Sequence, residues 1–193
     1  MKKMTIKFLA LICVLFATTT VGAQTNFLPN GKADSKTEHW HVVKTTVEEY
    51  NGDKVFVLRN GGHLHQWVQL TDEAIGKYAL FIGRVSSELA DVDGKPSTNP
   101  PYLYIYNANP SAISEGQIMR DDAKGENDWF TIYAIYQLPK EGFTGFMKCI
   151  LYQQNVRKNH NVPNEGSAVR FDNLGLYLFE TEKDALEFAK AYK

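Results

Sequence analysis

Aromatic residues at alternate positions form the most chemically suggestive pattern in this 193-residue chain. In YLYIYN, Tyr102, Tyr104 and Tyr106 alternate with Leu103 and Ile105. In FMKCILYQQ, Lys148, Ile150, Tyr152 and Gln154 alternate with a core-like set, Met147, Cys149 and Leu151. A period of two puts each set on one face of a strand. A pyranose ring packs its C–H face on an aromatic ring, and planar amides hydrogen-bond its hydroxyls, so such a face suits a sugar. In HLHQWVQL, His63, His65, Trp67 and Gln69 share a face opposite Leu64, Gln66, Val68 and Leu70, which makes Trp67 a further stacking candidate. The same alternation has a purely structural use: outward tyrosines also stabilise cross-strand pairs or lie beneath loops or a helix, and a sheet Trp is often half-buried packing.

Other chemistry finds less support. His39-Trp40-His41 and His63-Leu64-His65 are two H-x-H pairs, the kind of donors zinc or a cupin-type metal uses. The cupin pattern needs a Glu four or five residues beyond the second His, whereas Glu73 stands eight beyond His65, so no catalytic metal is expected. Asp91-Val92-Asp93-Gly94 begins like a calcium loop, but its twelfth position is Tyr102 rather than Glu. Asp121, Asp122, Glu126 and Asp128 lie among Lys, Gly and Asn and read as solvated. The sequence contains no G-x-S-x-G, G-x-x-x-x-G-K or H-E-x-x-H motif, and no enzyme activity is expected. Cys149, inside FMKCILY, reads as a buried inert thiol.

The elements that must position these residues are strands. Aromatic and β-branched runs at 40–48, 54–59, 63–70, 77–86, 102–107, 129–138, 145–154 and 168–179 are separated by Asn51-Gly52-Asp53, Asn60-Gly61-Gly62, Asn99-Pro100-Pro101, Pro139 to Gly142 and Asn164-Glu165-Gly166. Eight strands at this spacing predict an all-β fold, an antiparallel β-sandwich of jelly-roll type. Long polar stretches at 87–101 and 109–128 are the expected ligand-contacting loops. At the end, Thr181 with Asp184 three residues on, followed by ALEFAKAYK, predicts a helix over 181–192. It is too short to persist alone and should dock on the sandwich through Ala185, Phe188, Ala189 and Tyr192, beside a Leu186 and Lys190 face.

The N-terminus is different. Lys2, Lys3 and Lys7 precede the apolar run Phe8 to Ala17, and Val21 and Ala23 sit at the −3 and −1 positions before Gln24. This predicts a signal peptide at 1–23 and an exported protein, secreted or periplasmic, with one domain at 24–193. The apolar run is too short to span a bilayer. Three lysines would leave with the leader, so 170 residues remain with 18 basic against 22 acidic, a charge of −4, and Cys149 as the one thiol. Neither that charge nor the −1 of the full chain attracts nucleic acid. No N-x-[ST] sequon with a permitted middle residue occurs, which fits bacterial export.

Three segments, in order, resemble the galactose-binding-like jelly rolls, especially carbohydrate-binding modules of the family 4/9/22 type. The first is Asn26-Phe27-Leu28-Pro29-Asn30-Gly31 to Asp34, with Trp40 beyond it. The second runs from Leu64 to Ser86 through Gln66, Val68, Leu70, Gly76, Lys77, Phe81, Gly83 and Val85. The third is Arg170-Phe171-Asp172-Asn173-Leu174-Gly175-Leu176. The resemblance implies that Phe81, Gly83 and Val85 point inward and Arg84 outward, which adds Arg84 to the sugar-facing set. It also implies a structural calcium ion tying the first strand to the last. Asp34, in place of the family's Glu, and Asp172 are the matching positions. Calcium takes hard oxygen ligands, and the shorter Asp34 weakens the site or removes it. The terminal helix and the solitary module depart from the family's usual form. The expected function is non-catalytic polysaccharide or oligosaccharide binding, the alternative a protein-docking or structural envelope module on the same fold, and a glycan-active enzyme comes third.

Overall fold

The computed structural model describes residues 24–88, 102–107, 129–153 and 168–192. The predicted leader, Gln154, and most of the two predicted long loops lie outside the described residues. Within them seven strands and one α-helix follow in order: β1 (His41–Tyr50), β2 (Asp53–Gln69), β3 (Tyr78–Glu88), β4 (Tyr102–Asn107), β5 (Phe130–Gln137), β6 (Phe146–Tyr152), β7 (Ala168–Phe179) and α1 (Glu182–Ala191), with a short 3-10 turn at Asp72–Ala74 between β2 and β3. All pairings are antiparallel, in the order β4-β6-β2-β7-β3-β5, with β1 beside β2. The end strands β4 and β5 pack against each other, so the sheet nearly closes into a jelly-roll sandwich. No helix among the described residues is long and apolar enough to cross a membrane.

Two predicted strands are one. Residues 54–59 and 63–70 belong to the continuous β2, and Asn60-Gly61-Gly62, expected as a turn, is a corner within it. The partner of β2 changes there: Phe56–Arg59 pair with β7, and His63–Gln69 pair with β6. β1 accompanies both halves and jumps register between Val43 and Thr45, with Lys44 at a positive φ of 48°. A Cβ on Gly62 would sit 2.4 Å from the Lys44 carbonyl oxygen, so the close approach at this corner requires glycine.

Alternation then sorts the side chains. Phe56, Leu58, Leu64, Val68, Phe81, Val85, Leu103, Ile105, Met147, Cys149, Leu151 and Phe171 fill one buried core between the two halves of the sandwich. The inward sets expected on β3, β4 and β6 are all here. Cys149 is fully buried and its thiol is pushed far above its ordinary pKa by desolvation, as an inert core residue should be. The N-terminal segment is sewn to the last long strand. The Asn26 amide donates to the Leu174 carbonyl at 3.2 Å and its oxygen accepts from the Leu176 N–H at 3.0 Å, while the Trp40 indole donates to the Asn30 carbonyl at 3.1 Å.

The helix begins where expected. Thr181 Oγ1 accepts from the Asp184 N–H at 3.1 Å, a side-chain cap on an otherwise unpaired donor. Ala185 and Ala189, flanked by Phe188 and Tyr192, dock on Leu80, Ile82, Tyr177 and Phe179. These are the outward residues of β3 and β7, so α1 covers the outer face of the β7-β3-β5 half. The opposite outer face belongs to β1, the second half of β2, β6 and β4.

Candidate functional site

On that opposite face the registers align the sequence-selected aromatics into rows. Val43, His63 and Tyr152 lie directly across from one another on β1, β2 and β6, and Tyr102 on β4 is the register partner of Tyr152. The next row is His41, His65, Ile150 and Tyr104, the third Trp67, Lys148 and Tyr106, and Gln69 opposes Phe146 beyond it. With strands roughly 4.8 Å apart and alternate residues roughly 7 Å apart, the first three rows make a patch about 14 Å on a side. Trp67 is 49% exposed and Phe146 42%, while Tyr104, Tyr106, Tyr152 and Lys148 are half-buried.

The polar chemistry of the patch is set by its centre. The Lys148 ammonium lies 5.1 Å from the Trp67 ring centroid and 5.8 Å from that of Tyr106. Rings on both sides attract the cation through their negative faces. His41 and His65 stand 4.6 Å apart between centroids, and His63 stacks 6.0 Å from His65 and 6.2 Å from Tyr152. Burial, then the Lys148 and His41 charges, lower the His65 pKa to about 4. Burial, then His41 and Lys148, also lower His63. At neutral pH His63 and His65 are uncharged, each with one donor and one acceptor nitrogen. The patch can therefore stack sugar rings and exchange hydrogen bonds with hydroxyls.

Arg84 does not join it. It projects outward as expected, but from β3 on the other half of the sandwich, because β3 pairs with β5 and β7 and never with the tyrosine strands. Its guanidinium donates to Thr131 Oγ1 at 3.1 Å and to the Trp129 carbonyl at 2.9 Å. There it lines a separate cleft of about 200 Å³ with Tyr50, Asn51, Asp53, Trp129, Asp172 and Asn173. Tyr192, just beyond α1, holds this partner of Arg84, for the Thr131 hydroxyl donates to the Tyr192 carbonyl at 3.1 Å.

Of the two residues expected at a calcium ion, Asp34 is exposed in the N-terminal segment and Asp172 is half-buried in β7. Asp172 has a raised pKa, chiefly from burial, with the Asp53 and Asp34 charges adding and the Asn173 N–H and Lys32 opposing. Among the described residues no group of three His, Cys, Asp or Glu side chains is gathered for a metal, so main-chain carbonyls would have to complete a set of six to eight oxygens. The Asp34 carbonyl already accepts from the Lys54 ammonium at 3.2 Å.

No protein-family model matches the chain, and no curated protein matches it. Solved structures do. A "Family 16 Carbohydrate Binding Module-2" is 14% identical with a TM-score of 0.56, over 78% of this chain and 99% of that one. A family 61 carbohydrate-binding module in complex with β-1,4-galactotriose is 16% identical with a TM-score of 0.53, over 81% and 99%. A Stig cyclase, Fisc from Fischerella sp. TAU, is 13% identical with a TM-score of 0.56, over 83% and 100%. The fold is thus that of the carbohydrate-binding jelly rolls, with modules of families 16, 61 and 22 among its structural neighbours, and an enzyme shares it.

Proposed function

We propose that the protein is an exported, non-catalytic carbohydrate-binding module whose glycan lies on the outer face of β1, β2, β6 and β4. The observation that carries this reading is the alignment of Trp67, Lys148 and Tyr106 in one row beside Tyr104 and Tyr152, on the face opposite the docked helix. Aromatic planes with interspersed hydrogen-bonding groups fit sugar rings, and the likeness to carbohydrate-binding modules supports the same class of ligand. The test is a glycan array probed with the purified protein and with Trp67→Ala, Tyr104→Ala and Tyr152→Ala. Binding lost in those variants supports the proposal, and no binding to any glycan by the parent overturns it.

The exposed neighbours Trp67 and Phe146 favour one second reading, a protein-docking face. Retention of a partner chain that survives excess glycan would support it. A structural calcium ion held by Asp34 and Asp172 is a further part of the proposal. It would neutralise the mutual repulsion that Asp172 receives from Asp34 and Asp53. Micromolar to millimolar calcium should then raise the melting temperature of the parent and leave Asp172→Asn unchanged.

A further inference from the structure

The row at the centre of the sheet face carries a charge that a neutral glycan leaves unused. Lys148 occupies the middle strand, β6, with Trp67 opposite it on β2 and Tyr106 opposite it on β4. Its ammonium lies within about 6 Å of both ring centroids, the range of a cation–π contact. No carboxylate occupies any position of the rows from Val43, His41 and Trp67 to Gln69 and Phe146. Among the described residues no acid forms an ion pair with Lys148. The remaining polar groups of the patch are imidazoles, tyrosine hydroxyls and the Gln69 amide, all able to donate as well as accept. Among the described residues the patch thus has no acceptor-only side chain and has a surplus cation, on a chain whose net charge is −1.

We propose that the glycan bound here carries ring carboxylates, as in a polymer of uronic acids, with one carboxylate paired to Lys148 and its ring stacked on Trp67 or Tyr106. The inference rests on the glycan-binding reading of the same face and narrows its ligand class. A carboxylate supplies the anionic, acceptor-only partner for Lys148, and a charge-assisted hydrogen bond to an ammonium is stronger than a neutral one. A single ammonium between two rings fits one charge per sugar better than a densely sulfated chain, which calls for clustered Lys and Arg. The neutral His65 in the adjoining row, with His63 one row beyond, adds no charge of its own and offers hydroxyl partners on that side of Lys148.

The experiment measures binding of the purified protein to polygalacturonate and alginate, with fully methyl-esterified polygalacturonate, β-1,4-galactan and dextran sulfate as comparison polymers. The uronates should bind, and their affinity should fall as sodium chloride rises from about 0.05 to 0.5 M, where exposed charges become screened. Esterification should abolish or strongly weaken binding. Lys148→Met and Lys148→Gln, checked for unchanged melting, should lose about tenfold in uronate affinity, whereas Lys148→Arg should keep most of it. Equal affinity for the ester and the free acid, preference for galactan or dextran sulfate, or undiminished uronate binding by both neutral variants would overturn the carboxylate assignment while leaving glycan binding standing. Retention of none of the polymers would overturn the carboxylate assignment, and the absence of binding on the glycan array as well would overturn both.

Discussion

Trp67 and Lys148 are directly opposed residues of β2 and β6, and the ammonium lies 5.1 Å from the indole centroid. The pair joins two strand segments that are about eighty residues apart in sequence and adjacent in the sheet. Its exposed indole and charged neighbour give the face one stacking plane and one fixed cation. Trp40 makes the contrast: it is buried, meets Phe56 edge-on at 5.5 Å and spends its N–H on the Asn30 carbonyl.

The two tryptophans should therefore separate binding from stability. Trp67→Ala is expected to cost about 1 kcal/mol of glycan affinity, roughly fivefold, with little change in melting temperature. Trp40→Ala is expected to destabilise the fold by about 3–5 kcal/mol, since it empties a core position. Calorimetric titration and chemical denaturation on both variants give the two numbers independently.

His65 should make stability depend on pH. Its folded pKa, about 4, lies below the ordinary 6.5, so the folded state resists a proton that the unfolded chain accepts. Above pH 6.5 both states are neutral at this residue and its contribution is complete. Stability should fall as pH drops from 6.5 towards 4 and level off below that for this group, with His63 acting in the same direction. Glu48, held at about 2 chiefly by the hydrogen bond from Arg59, adds a loss in a lower window, between pH 4.5 and 2. Denaturation curves at intervals from pH 7.5 to 3 should show His65→Gln flattening only the upper window.

How far the site was legible depended on whether its geometry was local. The alternation in YLYIYN and FMKCILYQQ placed Leu103, Ile105, Met147, Cys149 and Leu151 in the core, because period two is a property of one strand. The outward sets were legible for the same reason. What spacing could not reveal was adjacency: β4, β6 and β2 neighbour one another through non-local pairing, so the merger of the tyrosines with Trp67 and Lys148 into one patch had no sequence signal. The same limit misplaced Arg84, whose outward direction was right and whose half of the sandwich was wrong. His63 and His65 were placed on the face of Trp67 but, with His41, were weighed only as metal donors, although their register beside Tyr152 and Ile150 makes them part of the patch. The corner at Asn60-Gly61-Gly62 looked like a turn because glycine marks bulges and turns alike.

That corner carries its own prediction. A Cβ at Gly62 meets the backbone oxygen of Lys44 at 2.4 Å, and backbone atoms cannot step aside as a flexible side chain can. Gly62→Ala is expected to cost about 1–3 kcal/mol. Gly52→Ala is the control: its φ of 90° is strained for alanine, but nothing lies within 4 Å of the added carbon, so about 1 kcal/mol is expected. Because His63–Gln69 continue from the corner into the proposed glycan face, Gly62→Ala should also weaken glycan binding, whereas Gly52→Ala should not. Urea denaturation paired with glycan titration separates the two variants.

The docked helix should matter for stability and not for the ligand. Phe188 packs on Tyr177 at 4.7 Å and Phe179 at 5.3 Å, on the outer face of β7, with the whole core between it and the tyrosine patch. Because the ring is only half-buried, Phe188→Ala is expected to cost about 2 kcal/mol, less than a fully enclosed phenylalanine. Thr181→Ala removes the side-chain cap at Asp184 and should cost about 1 kcal/mol. Both variants should bind glycan with parental affinity at temperatures well below their melting points. A changed affinity for Phe188→Ala under those conditions would mean that helix docking and the ligand face are coupled through the core, contrary to two outer faces acting independently.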